Sequence, residues 1–270
     1  MAKKMTHVSK SRKKDETTGT ALVPVEAHAR ALTAIPPGSG ETAIIRREGD
    51  TTLVIGQTYP MRGGFIEAAE VYYVDSLRKG CPEGPWLGEA DKVAWRDGAT
   101  GYECIIMRDR HGGFLSGYVG VPIEHPLYGF DHEALPEDLG VQVHGGVNYS
   151  RTCEEGPTPE RRIIYEARRI CHVAHRYSPI EHATDYRVED HAWWFGFSCN
   201  HIYDVVPNER YHSKQYLGAE TGAVYRDDAY VCNEVQNLAA QLKAIADGVP
   251  VPSRTGQPLP PRGLDPQEAD

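Results

Sequence analysis

From Lys92 onward, short apolar runs alternate with clusters of turn-forming residues. KVAW (92–95), GYECIIMR (101–108) and FLSGYVGVP (114–122) are rich in β-branched and aromatic residues, and RDRHGG (108–113) separates the last two. Such runs, punctuated by Gly, Asp and Pro, predict strands joined by tight turns. Upstream, ETAIIRREGDTTLVIGQTY (41–59) places two β-branched runs around Glu48-Gly49-Asp50 and reads as a β-hairpin. FIEAAEVYYVDSL (65–77) fits helix or strand, with its Tyr and Val content favouring strand. VQVHGGVNYS (141–150) starts as a strand and meets Gly145-Gly146, the mark of a bulge or a close backbone approach. HAWWFGFSC (191–199) has the strongest strand pattern.

Helical periodicity appears in two places. TPERRIIYEARRICHVAHRY (158–177) opens with Thr158 at the N-cap and Pro159 at the first helical position, and Pro179 stops it. RDDAYVCNEVQNLAAQLKAIADG (226–248) sets Val231, Val235, Leu238, Leu242 and Ile245 on one face. Asp227 or Asp228 caps it and Gly248 ends it. Strands in meander order, then a helix, a strand and a helix, predict a single α+β domain. It has a mainly antiparallel sheet and two principal helices, spans residues 21–246 and is best defined over 92–246. Residues 1–20 are polar and basic and predict a disordered arm, and the Pro- and Gly-rich stretch 247–270 predicts a disordered tail.

Charge and composition narrow the function classes. The net charge of −9 and pI near 5.7 argue against a general nucleic-acid-binding surface, leaving the basic arm as the place for such a contact. No apolar run is long enough to span a membrane, and no apolar segment follows the basic N-terminus to make a secretory signal. The six cysteines contain no CxxC pair, so free thiols in a cytoplasmic setting are expected. No G-x-G-x-x-G follows a strand and no P-loop lysine motif occurs, which removes dinucleotide folds and Walker-type NTPases.

The candidate chemistry centres on His144, Cys199, His201 and Asp204. If the strands carrying them are neighbours, His144 approaches the Cys-x-His of the other strand. A thiolate, two imidazoles and a carboxylate can ligate zinc, with a position left for water. A metal-free alternative makes Cys199 the nucleophile, a histidine (His144 or His201) its base and Asp204 the orienting group. A third reading is binding alone. There Tyr118, Tyr128, Tyr149, Trp193 and Trp194 line a pocket, Arg151 grips an anion, and the His125 to Gly129 loop closes over it. The helix over 158–177 is basic, and Cys171 and His175 sit one turn apart on it. Its arginines suit a phosphate or nucleic acid, Cys171 with His172 and His175 suits a second metal site, and the plain alternative is a solvated face paired with Glu160 and Glu166.

GYVGVPIEHPLYG (117–129), VHGGVNYS (143–150) and WWFGFSCNHIYD (193–204), followed by the helix over 225–242, together resemble a family of uncharacterised proteins encoded by bacteriophages and prophages. The resemblance runs from about Trp95 to Ile245. This chain departs from the family pattern at Ser198, where an aspartate is usual, and at Asn200, Ile202 and Tyr203, which replace smaller residues. The resemblance implies a phage origin and a host-cytoplasm setting and carries no chemistry. Taken with the candidate residues, it makes a zinc-assisted hydrolase of a small or nucleotide-like substrate the first expectation. A protein that sequesters a ligand or blocks a host factor is the second.

Overall fold

In the hairpin β1 (Ile44–Glu48) and β2 (Thr51–Ile55), Glu48 faces Thr51 across a two-residue turn at Gly49-Asp50, where the sequence places it. The computed structural model describes residues 43–68, 70–78, 83–152, 162–171, 192–208 and 222–260, all within one compact unit, Pro36–Asp270. The expected N-terminal arm lies outside the described residues. Residues 58–59, read as the end of the first hairpin, begin a second one, β3 (Thr58–Met61) with β4 (Gly64–Glu67). The ambiguous 65–77 stretch resolves as the end of β4 and the strand β5 (Glu70–Val74).

β5, β6 (Lys92–Arg96), β7 (Glu103–Arg108) and β8 (Leu115–Val121) form the predicted meander. β10 (Trp193–Ser198) pairs with β8, and β9 (Tyr149–Thr152) lies outside it, giving one eight-stranded sheet in the order β1-β2-β5-β6-β7-β8-β10-β9. Every strand pair is antiparallel. The fold is α+β, as expected. VQVHGGVNYS corrects one detail: its strand begins only at Tyr149, and residues 141–148 are loop and turn.

Side chains alternate across the sheet, and a helical segment packs on each face. On one face Leu53, Tyr72 and Val74 meet Ile163 and Ala167 of the α1 segment, whose helix is the single turn Ile163–Glu166. The helix expected over 158–177 is therefore one turn long among the described residues. Buried Lys92 sits where the helix stops, and its ammonium donates to the carbonyls of Glu166 and Arg169, both at 2.7 Å. The described arginines here are paired. Arg162 holds Glu48 at 2.7 Å, Arg168 faces Asp50 at 3.8 Å and Arg169 faces Glu166 at 3.5 Å. Cys171 is disulfide-bonded, against the expectation of free thiols, with its partner outside the described residues, while Cys104, Cys199 and Cys232 are free and buried. A disulfide depends on Cα proximity, which scattered spacings do not reveal. His172 and His175, proposed as its metal partners, are outside the described residues.

On the other face α2 (Asp228–Ala246) crosses β7 and β8. Asp227 caps it by accepting the Tyr230 N–H at 2.9 Å. Val231, Val235, Leu238 and Leu242 are buried under it, each contributing about 1.5–3 kcal/mol. The close approach needs Gly117, where a Cβ would lie 2.5 Å from Val235 and 2.6 Å from Phe197. The stretch after α2, expected as a disordered tail from Asp247, is held against the helix: Thr255 N–H donates to Asn237 Oδ1 at 3.0 Å.

Candidate metal centre

Two loops converge beside α2. One is residues 141–148 before β9, and the other is residues 199–204 after β10. α2 holds the first through three of its polar residues. Gln241 takes the Gln142 N–H at 2.7 Å and returns a bond to its carbonyl at 3.0 Å. Glu234 accepts the His144 N–H at 3.0 Å, and Tyr230 Oη meets His144 Nδ1 at 2.9 Å. The second loop is a tight turn, with the Asp204 N–H bonded to the His201 carbonyl at 2.9 Å and the His201 N–H to Asp204 Oδ2 at 3.0 Å.

This brings His144, His201 and Asp204 together, with one donor atom from each within 4.8 Å of the others. His144 Nε2 lies 2.7 Å from Asp204 Oδ2, His201 Nδ1 lies 3.3 Å from the same oxygen, and the two ring nitrogens are 3.3 Å apart. His144 and Asp204 are fully buried, and the His201 side chain keeps 15% of its surface exposed. Gly145 makes the approach possible. Its φ of +65° is in the left-handed region, and a Cβ there would lie 2.1 Å from the His201 ring. The Gly-Gly sequence had signalled that close approach.

Arg226 Nε donates to the remaining oxygen, Asp204 Oδ1, at 2.9 Å, and its guanidinium lies 4.8 Å from the Tyr230 ring centre. Burial by itself raises the Asp204 carboxyl. The hydrogen bonds from His144, His201 and Arg226 overcome that and hold it well below the usual carboxylate range. Asp204 is therefore ionised across the working pH range.

Cys199 is a correction. It is not in the cluster, because the strand ends at Ser198 and the chain turns before His201, so Cys-x-His does not share a strand face. Cys199 continues the inward alternation of Phe195 and Phe197 instead, and all three are buried. Its place outside the cluster sets it apart as a ligand, and burial, reinforced by the Asp204 charge, pushes its thiol well above its ordinary value, which disfavours the thiolate a nucleophile needs.

The expected ligand-binding residues are not gathered here either. His125 is buried, accepts the Leu127 N–H on Nδ1 at 3.0 Å and so donates from Nε2 to the Leu242 carbonyl at 2.9 Å. It clamps the end of α2. Tyr128 packs on Trp193, ring centres 5.9 Å apart, at the far end of β10 from His201. Tyr149 packs on Tyr118 at 5.2 Å, on the α1 face of the sheet, and Arg151 is exposed on edge strand β9. Trp194 is core. Ser198 accepts from Asn148 at 2.7 Å and donates to Asn200 at 2.8 Å. The residues that the motif reading missed are Tyr230, Glu234, Gln241 and Arg226. Polar residues at 230, 234 and 241, spaced 4 and 7 apart and so on one face of the helix, were the available signal.

Comparison of the chain with known protein families, with characterised proteins and with solved structures finds no match.

Proposed function

We propose that this protein is a metal-dependent hydrolase of a small or nucleotide-like substrate, with zinc bound by His144 Nε2, His201 Nδ1 and Asp204 Oδ2. The convergence of these three donors carries the reading. Ligands about 2.0–2.1 Å from a tetrahedral zinc sit about 3.3 Å from one another. Two of the separations are 3.3 Å, and the third, 2.7 Å, is a hydrogen bond that a cation would replace. The surrounding groups suit a metal as well. Tyr230 can fix the His144 ring by accepting from Nδ1, and Arg226 occupies the carboxylate oxygen that the ion does not need.

Three protein ligands leave a fourth tetrahedral position for water, whose pKa a zinc ion lowers to about 7. Arg226 already balances Asp204, so the charge of the ion is left to acidify that water. His201, the exposed member, sets the side from which substrate arrives. Among the described residues no helix is long and apolar enough to cross a membrane. A phage or prophage origin and a host-cytoplasm setting belong to this proposal through the motif resemblance. The Cys171 disulfide is the feature that pulls the other way, toward an oxidising compartment. A second reading, a binding protein with a structural ion, is favoured by the complete burial of His144 and Asp204.

Metal analysis of the purified chain is the test. The expected result is one zinc per chain, lost in folded His201→Ala, together with chelator-sensitive hydrolysis of a model ester or phosphodiester. Bound zinc with no turnover of either substrate class favours the binding reading. A wild-type protein that neither contains nor takes up a divalent ion removes both.

A further inference from the structure

We propose that the segment following α2 is part of the metal centre, with Arg254 acting through Glu234 as a positioning residue for His144. The inference rests on the metal reading above and adds to it a segment that the sequence presents as a tail.

Glu234 lies in the middle of α2 with no exposed surface. Its carboxylate has donors from two separate parts of the chain. The His144 N–H reaches Oε2 at 3.0 Å, and Arg254 reaches the same oxygen through Nε at 2.9 Å and Oε1 through Nη2 at 2.5 Å. The Arg254 side chain is itself almost enclosed, 7% exposed. A buried carboxylate that loses its counter-ion also loses the two bonds that fix its orientation, and a carboxylate free to turn is a weaker acceptor for the peptide N–H. That peptide belongs to His144, whose ring is held at both nitrogens by Tyr230 and Asp204. A shift of the His144 backbone is therefore passed to the Nε2 donor.

The segment is built to keep Arg254 in place. The N–H and Oγ1 of Thr255 donate to Asn237 Oδ1 at 3.0 and 3.1 Å. Its carbonyl accepts from the side-chain amides of Asn233 and Asn237, each at 2.9 Å. Pro250 and Pro252 have no N–H to satisfy and favour an extended chain along the helix. A solvated coil needs none of these bonds.

The test uses the full chain, Co2+ as a coloured probe and a chromophoric chelator as competitor. Arg254→Met keeps the apolar stem and removes the fork, while Arg254→Lys keeps a charge. In folded Arg254→Met, Co2+ affinity is expected to fall about 10–100-fold, the size usual for loss of an outer-shell partner. The visible Co2+ bands change, and the His144 amide resonance of the metal-free protein moves. Arg254→Lys recovers part of the affinity, a rescue that a purely structural role would not tie to the Co2+ spectrum. Wild-type affinity, spectrum and amide position in folded Arg254→Met overturn the proposal. If Arg254→Met does not fold, Arg254→Lys and Asn237→Ala decide, and wild-type Co2+ binding in both overturns it. If the wild-type chain binds neither Co2+ nor Zn2+, the metal reading fails by itself. The amide resonance then decides: movement upholds Arg254 as the group that positions His144, and no movement overturns it.

Discussion

Asp204 divides its two oxygens between different partners: Oδ1 takes the Arg226 N–H, and Oδ2 faces both imidazoles. His144, His201 and Asp204 were legible in the sequence because His144 ends one apolar run before Gly145-Gly146 and His201 and Asp204 directly follow the strongest strand pattern. Cys199 was misjudged because a two-residue spacing puts side chains on one face only while the strand continues, and here it ends at Ser198. Cys199→Ala is thus expected to leave zinc stoichiometry unchanged and to cost about 1 kcal/mol of stability as a small core truncation, measured by metal analysis and urea unfolding. Gly145 makes the opposite case. Gly145→Ala combines a left-handed backbone with a methyl 2.1 Å from the His201 ring, so it should destabilise by about 1–3 kcal/mol and weaken zinc binding as well. Gly140→Ala is the control. It has a similar φ of +71° with nothing within 4 Å, so its cost should appear in stability and not in zinc affinity.

Among the elements, the β1–β2 and β7–β8 hairpins and the last helix were readable because their signals are local: β-branched runs, turns rich in Gly and Asp, and an aspartate cap. The α1 segment was not, because its contacts are with strands far away in sequence, such as Lys92 of β6, which donates to the Glu166 and Arg169 carbonyls. The role of α2 in holding the 141–148 loop was hidden for the same reason, since the partners of Tyr230, Glu234 and Gln241 lie about 90–100 residues earlier. The first turn of α2 also carries a titrating group. Burial, and then the charge of Glu89, push the Asp228 carboxyl up to about 6 from an ordinary 3.8, while the Tyr59 hydroxyl, 2.6 Å away, partly opposes the shift. A carboxyl raised in the folded state contributes stability that is fully present below its unfolded value and is lost as pH rises through its folded one. Between pH 4 and pH 7 this group should therefore withdraw on the order of 2–3 kcal/mol, for a shift of about two units. The difference in urea midpoint between wild type and Asp228→Asn, followed from pH 4 to pH 7, checks it. A difference that does not change with pH would contradict the assignment.

For the molecule as a whole, the α+β class followed from the order of the elements, whereas the strand order did not. The meander is local pairing, but the placement of β9 outside β10 depends on a return of the chain that no motif announces. The ordered stretch after α2 was equally silent, since Pro-rich composition looks the same whether or not an arginine in it finds a buried partner. The position of β9 has a kinetic consequence. β9 is an edge strand and its ladder partner is β10, on the far side of residues 153–192, so β9 cannot pair until the two ends of that stretch of chain have come together. Non-local pairings of this kind come late in folding. The loop carrying His144 leads directly into β9, so the His144, His201 and Asp204 cluster should be among the last parts of the chain to assemble, and a newly made protein would hold most of its core before these three side chains met.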